Sequence, residues 1–366
     1  MTAATPAAIG GRRRRRPALL AGPGRWAGLS RGPARVVLAA AILLILAAII
    51  ASGGAAMEGP DASLDAALVD GVRHGGDIYS VAADTVGGAG SPASAWTVPL
   101  PTLATVEGRA SPLVATAAIM LLAVFVVVAW FARFGDLLVR SRARIVALAL
   151  MLTGLAVALR PTIVAVPEGW AGLLVALSLA RRAPGRWIEP VAWGVAAAML
   201  TPAALPYAAV MMLAAARERR AREAIGWAAA LVAGIAAVTL HAHALQTIAT
   251  AGAVPSADLP GPGAVLATMG EATGLRLLPM AFVVPLVVAA TLGWASRREP
   301  VALRTLWLIL AETALIVLMP DAALIVAPLL PLGLLMVPDA MQDLAAAAFD
   351  TRRFTVTRLG GEGLPR

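Results

Sequence analysis

The chain has 366 residues, of which 60% are hydrophobic and 14% charged, too little polar surface to cover a soluble protein of this length. All thirty of its basic residues are arginine, giving a formal net charge of +9, and they gather between apolar runs, where they orient membrane segments rather than form a face for nucleic acid. With no cysteine, disulfides, iron–sulfur clusters and thiolate metal sites are excluded.

Hydrophobic runs near twenty residues, enough to cross ~30 Å of hydrocarbon, recur along the chain. The expected class is an all-α polytopic membrane protein with about nine or ten helices, some short or broken. Residues 1–35 read as a disordered cytoplasmic tail, with Arg12 to Arg16 consecutive and Arg25, Arg31 and Arg35 among Gly and Pro. The membrane domain is expected over 36–350, with a second cytoplasmic tail at 351–366. A first span over 36–50 ends in small residues, a pattern it shares with cleavable signal peptides; later spans favour an uncleaved helix. The following stretch, 57–110, holds seven acids against Arg73 and Arg109 alone, the composition of an outside loop.

Span two is expected over 112–134, followed by Arg140, Arg142 and Arg144. Span three covers 145–166, with Arg160 and Pro161 near its outer end, and a short span four covers 168–180. Between Arg186 and the next cluster at Arg217, Arg219, Arg220 and Arg222 lie only 30 residues. Two full passes would leave each ~15 residues, or ~22 Å, and one straight helix would reach ~45 Å. Pro202 and Pro206 interrupt the middle. The spacing therefore predicts two partial spans, 187–201 and 205–216, meeting at a turn that needs protein cover because lipid cannot satisfy its backbone.

Further spans are expected over 224–246, 275–294, 305–319 and 322–337, with 247–274 an outside loop, a tight turn at Pro320-Asp321, and 338–349 along the inner surface. Ten passes put every dense Arg cluster on one side. The excess of Ala, Gly, Pro and Arg fits a bacterial genome rich in G and C, hence a bacterial cytoplasmic membrane with both termini inside.

In the outside loop, Leu64, Leu68 and Val72 recur at helical spacing, predicting an amphipathic helix on the membrane surface. Asp61 and Asp65 fall one turn apart on it, and Gly75-Gly76 ends it before Asp77 and Tyr79. A carboxylate there could deprotonate an acceptor hydroxyl; the alternative is that Asp61 caps the helix and the others solvate the loop. His241 and His243, two apart on a helix, face different directions and suit helix-end polarity better than a shared metal. Trp170, Trp187, Trp227 and Trp294 read as interfacial anchors.

A first span, an outside segment with an early Asp, then Gly75-Gly76-Asp77-Ile78-Tyr79 and a Pro-rich re-entry at Trp96-Thr97-Val98-Pro99-Leu100-Pro101 together resemble GT-C superfamily integral-membrane glycosyltransferases, mannosyltransferase-like enzymes that take sugar from a polyprenyl-phosphate donor. Glu168-Gly169-Trp170, the paired short helices and Pro320-Asp321 through Pro331-Leu332-Gly333 add to the likeness, which spans about 35–350. It implies a catalytic carboxylate at the start of the first outside loop, by position Asp65, with Asp61 second. It also implies basic residues against the donor phosphate, for which Arg160 and Arg276 suit, with Asp77 and Tyr79 as further substrate contacts. The implied partners are a polyprenyl-phosphate-linked sugar and membrane lipid; no cofactor is implied, and metal dependence stays open. Here the two loop acids are separated rather than adjacent, which also keeps a non-catalytic membrane subunit in view. A small-molecule or lipid transporter is a further alternative, since broken helices mark substrate sites in carriers.

Overall fold

The computed structural model describes residues 22, 24–53, 62–88, 98–138, 141–246 and 259–349. Among them every regular element is a helix: α1 Arg31–Ser52, α2 Ser63–Arg73, α3 Ile78–Gly88, α4 Pro101–Arg109, α5 Pro112–Leu137, α6 Ser141–Leu155, α7 Pro167–Arg181, α8 Ile188–Ala198, α9 Leu205–Arg217, α10 Ala221–Gln246, α11 Pro262–Glu271, α12 Met280–Ala295, α13 Pro300–Leu315, α14 Ala323–Val326 and α15 Val337–Phe349. Four segments, Arg31–Ser52, Pro112–Gly135, Ala221–Gln246 and Pro331–Phe349, are long and apolar enough to cross a membrane, and three shorter apolar helices accompany them. The long helices leave Ile42, Leu43, Leu121, Phe125, Val128 and Val232 facing outward. Such a greasy outer surface is stable only in hydrocarbon.

The tail ends earlier than its composition suggests. Trp26–Gly28 forms a short 3₁₀ turn, with Trp26 buried beside Leu344 of α15, and α1 begins at Arg31.

The region between Arg186 and Arg217 folds as two half-length helices. Thr201 through Ala204 are buried at their junction, and the Thr201 hydroxyl caps the 3₁₀ turn by accepting from the Ala203 N–H (3.2 Å). α8 packs on α7 and α10, and α9 on α10 and α13, so protein supplies the cover that a turn at this depth needs.

Four expectations are corrected. Span three stops at Leu155 and continues as turns to Val166. The outside loop at 247–274 contains a buried helix, α11, with Val265, Ala267 and Met269 inside the protein; residues 247–258 lie outside the described part. The expected span over 322–337 is no continuous helix. It runs as a 3₁₀ turn (Pro320–Ala322), the one-turn α14, and a second 3₁₀ segment (Pro331–Met336). Pro320, Pro328 and Pro331 each remove an amide donor, which explains the break. Finally, Trp227 and Trp294 are core residues, not interfacial anchors: Trp227 packs edge-on to Tyr207 at 5.2 Å, and the Trp294 indole N–H donates to the Leu329 carbonyl (3.1 Å).

The broken segment lies at the centre of the bundle, with every residue from Ala322 to Leu332 buried. α7 and α12 approach its backbone at glycines. A Cβ on Gly172 would strike the Leu324 carbonyl oxygen, and one on Gly293 the Gly333 carbonyl oxygen. Small residues that let backbones touch are the usual means of packing helices in lipid.

The arginine clusters meet at one pole of the bundle. Arg182, at the end of α7, pairs with Glu223 (2.9 Å) and Glu218 (3.0 Å), while Arg304 of α13 pairs with Glu218 (2.7 Å). Arg133 donates to the Ala180 and Arg182 carbonyls at the end of α7. Arg297 is bound between Glu299 and the Gly22 carbonyl. At the opposite pole, α2, α3 and α4 form a cap.

Candidate functional site

The cap is built around the apolar face of α2. Leu68 and Val69 are buried against Ile78, Ala82 and Val86 of α3, Ala104 of α4 and Leu245 of α10. That face is covered by protein, so the surface-lying amphipathic helix is corrected to a packed one. α2 ends as its glycines require: Gly75 takes φ +90°, its N–H bonds to Val72 and that of Gly76 to Gly71, a left-handed C-terminal cap.

Asp65 sits in the first turn of α2 and is buried, where the helix dipole favours its charge. Asp61 lies outside the described residues. Asp77 is exposed and accepts from the Tyr79 (3.0 Å) and Ser80 (3.2 Å) amides, capping α3. Tyr79 is turned inward. Its hydroxyl meets His241 Nδ1 at 3.2 Å, and His241 Nε2 meets the Val98 carbonyl at 3.1 Å. A carbonyl only accepts, so Nε2 carries the ring proton and Nδ1 accepts from Tyr79. Burial first, and then the Asp77 charge, raise the Tyr79 pKa, which keeps the phenol a donor. His241 thus stitches the cap to α10; His243 is exposed, and the two imidazoles do not converge.

The cap holds a second buried carboxyl that the sequence reading counted only among the loop acids. Glu107, on α4, is 4% exposed, and its Oε1 has no hydrogen-bond partner among the described residues. Burial pushes its pKa up to about 7, partly countered by Arg73 and the Trp170 indole N–H. The signal was present in the spacing: Leu100, Leu103, Ala104 and Glu107 recur at three and four residues, so Glu107 shares the inward face of its helix. Its neighbour Gly108 abuts Val72.

Beside the cap, Arg276 pairs with Glu271, and Arg160 lies near enough for its charge to act on the same acid. Arg276 Nε lies 3.4 Å from Glu271 Oε2 at the end of α11. Burial raises the Glu271 pKa, while the charges of Arg276 and then Arg160 draw it back. Arg160 is exposed at the turn after α6, and Arg276 is half-buried in a 3₁₀ turn. The turns join because Gly274 abuts the Thr153 carbonyl of α6. Among the described residues, these two guanidiniums face one carboxylate next to the segment 160–170, whose Ala165 and Trp170 touch the cap. Among the described residues, no three His, Asp or Glu side chains come together to hold a metal.

Fold and surface define an α-helical membrane protein. Comparison with protein-family models, with characterised proteins and with solved structures gives no match to this chain.

Proposed function

We propose that the protein is a GT-C-like glycosyltransferase of a bacterial cytoplasmic membrane, moving a sugar from a polyprenyl-phosphate donor to an acceptor on the outer face. In this reading the Arg-rich pole and both termini lie inside, ten passes cross the bilayer, and the cap lies outside. The observation that carries the reading is the pairing of a buried acidic cap with the Arg160–Arg276–Glu271 cluster beside it. A carboxylate, Asp65 or the buried Glu107, takes the acceptor hydroxyl proton. The acceptor oxygen bonds to the sugar carbon as the carbon–phosphate oxygen bond breaks, with inversion. Arg160 and Arg276 hold the departing phosphate, whose oxygens match the guanidinium fork; Asp77 and Tyr79 position the cap.

The test uses full-length protein in lipid nanodiscs with radiolabelled polyprenyl-phosphate sugars. Removing the base should lower transfer by about 10²–10⁴-fold in Asp65→Asn or Glu107→Gln, and Arg160→Ala or Arg276→Ala should weaken donor use. Undiminished transfer in both acid variants would overturn the catalytic assignment. Wild-type protein that folds but transfers no sugar would favour a non-catalytic subunit. The broken chain at 320–336 favours a second reading, a small-molecule or lipid transporter, which would show as substrate flux into vesicles without transfer.

A further inference from the structure

The broken segment at the centre of the bundle faces a helix carrying an acid that the proposed reaction does not use. Glu312 lies on α13, is 0% exposed, and neither carboxyl oxygen has a hydrogen-bond partner among the described residues. It sits among apolar neighbours on its own helix, Leu308, Ile309 and Ile316, all buried. One residue on, the Thr313 hydroxyl contacts Met269 of α11 at 3.4 Å.

The elements packed on α13 are α9, α11, α12, α14 and the 3₁₀ turn at Pro320. Their titratable groups are few. α9 carries Tyr207 and Arg217, α11 carries Glu271 at its end, the Pro320 turn carries Asp321, and α12 and α14 carry none. Tyr207 is engaged with Ser178 (2.7 Å) and Glu271 with Arg276. On α13 itself Arg304, eight residues before Glu312, is paired with Glu218. Among the described residues, Glu312 has no hydrogen-bond partner to offset its burial.

An ionised carboxylate in such a place, with neither counter-charge nor donor, is far costlier than the neutral acid. Ionisable groups inside a membrane domain that persist at this cost mark functional positions. Broken helices beside them supply the mobile element through which such groups reach water. We propose that Glu312 is a proton-binding site at the centre of the membrane domain, occupied at neutral pH, which releases its proton to water only when the packing of α13 against the broken segment at Pro320–Met336 opens. The step is one of simple balance: carboxylate and proton join to give the acid, and no other group is transformed. It is independent of sugar transfer at the cap and stands whether or not that reading holds.

The test is infrared spectroscopy of the full-length protein in nanodiscs, in H₂O and D₂O, across neutral to alkaline pH. The wild type should show a protonated carboxylic-acid carbonyl band at neutral pH, with slow deuteration because the site is closed. Glu312→Gln, the neutral isostere, should remove the slowly deuterating part of that band, leaving the Glu107 contribution, while keeping its melting temperature. Glu312→Asp, which retains an acid, should shift the band and so reports on the site even if the Gln variant folds poorly. A neutral-pH spectrum in which neither variant alters the acid band would overturn the proposal. Sodium- or potassium-dependent stabilisation of the wild type that is lost in Glu312→Gln would equally overturn it, assigning the site to a metal cation instead.

Discussion

Thr201 and Glu168, 33 residues apart, are joined by a buried hydrogen bond from the threonine hydroxyl to the carboxyl Oε1 at 2.5 Å. The bond ties the turn between the half-length helices α8 and α9 to the first turn of α7. Because the same hydroxyl accepts from Ala203 N–H, one side chain both caps the turn and satisfies a buried acid. Thr201→Val keeps the shape but removes both interactions. Leaving a buried carboxyl unsatisfied costs about 1–3 kcal/mol, so this variant should melt clearly below wild type in detergent, whereas Thr201→Ser should remain close to it.

The ion network at the Arg-rich pole makes a stronger prediction. Arg182 and Glu223 are almost wholly buried, so Arg182→Ala leaves Glu223 with only Arg220 at 3.9 Å, while Glu218 keeps Arg304 and Arg220. Breaking a buried pair from one side costs about 3–5 kcal/mol. The double variant Arg182→Met/Glu223→Leu should recover much of that loss, because no charge is then left buried alone. Thermal melts of the single and double variants would reveal the difference; equal losses would exclude this account.

Glu107 should give the cap a pH dependence. Its carboxyl rises from an ordinary 4.5 to about 7 in the folded protein. Below 4.5 both folded and unfolded forms carry the proton and its contribution is intact. Between 4.5 and 7 the unfolded chain loses the proton while the fold retains it, so stability falls as pH rises through that window. Melting temperature measured against pH should show this decline, and Glu107→Gln should flatten it.

The close approaches at Gly172 and Gly293 predict a steric effect without any change in polarity. Gly172→Ala or Gly293→Ala places a methyl against a main-chain carbonyl, which cannot rotate aside. Overpacking costs about 1–3 kcal/mol and should be larger here because backbone must move. Ala substitution at Gly22, which has open space around it, is the control and should leave the melt unchanged.

The sequence by itself determined the class and the main long helices, because crossing hydrocarbon imposes a minimum apolar length that can be counted along the chain. The expected span over 112–134 and the helix found at Pro112–Leu137 agree for that reason. It determined the paired half-helices too, since 30 residues between arginine clusters allow little else. The cap helix around Leu64, Leu68 and Val72 was legible from its spacing, but not what covers its apolar face, because periodicity marks a buried side without saying whether lipid or protein buries it. Only the tertiary structure decided that α3, α4 and α10 supply the cover, that Trp227 and Trp294 belong to the core, and that prolines spread over 320–331 break the last expected span into a buried run of short helical turns. It also decided which charges meet. Arg160, Glu271 and Arg276 are distant or only loosely adjacent in the chain, and Arg182, Glu223 and Arg304 are spread over more than a hundred positions. Contacts of that kind come from how helices pack, a long-range property that no local pattern of residues records.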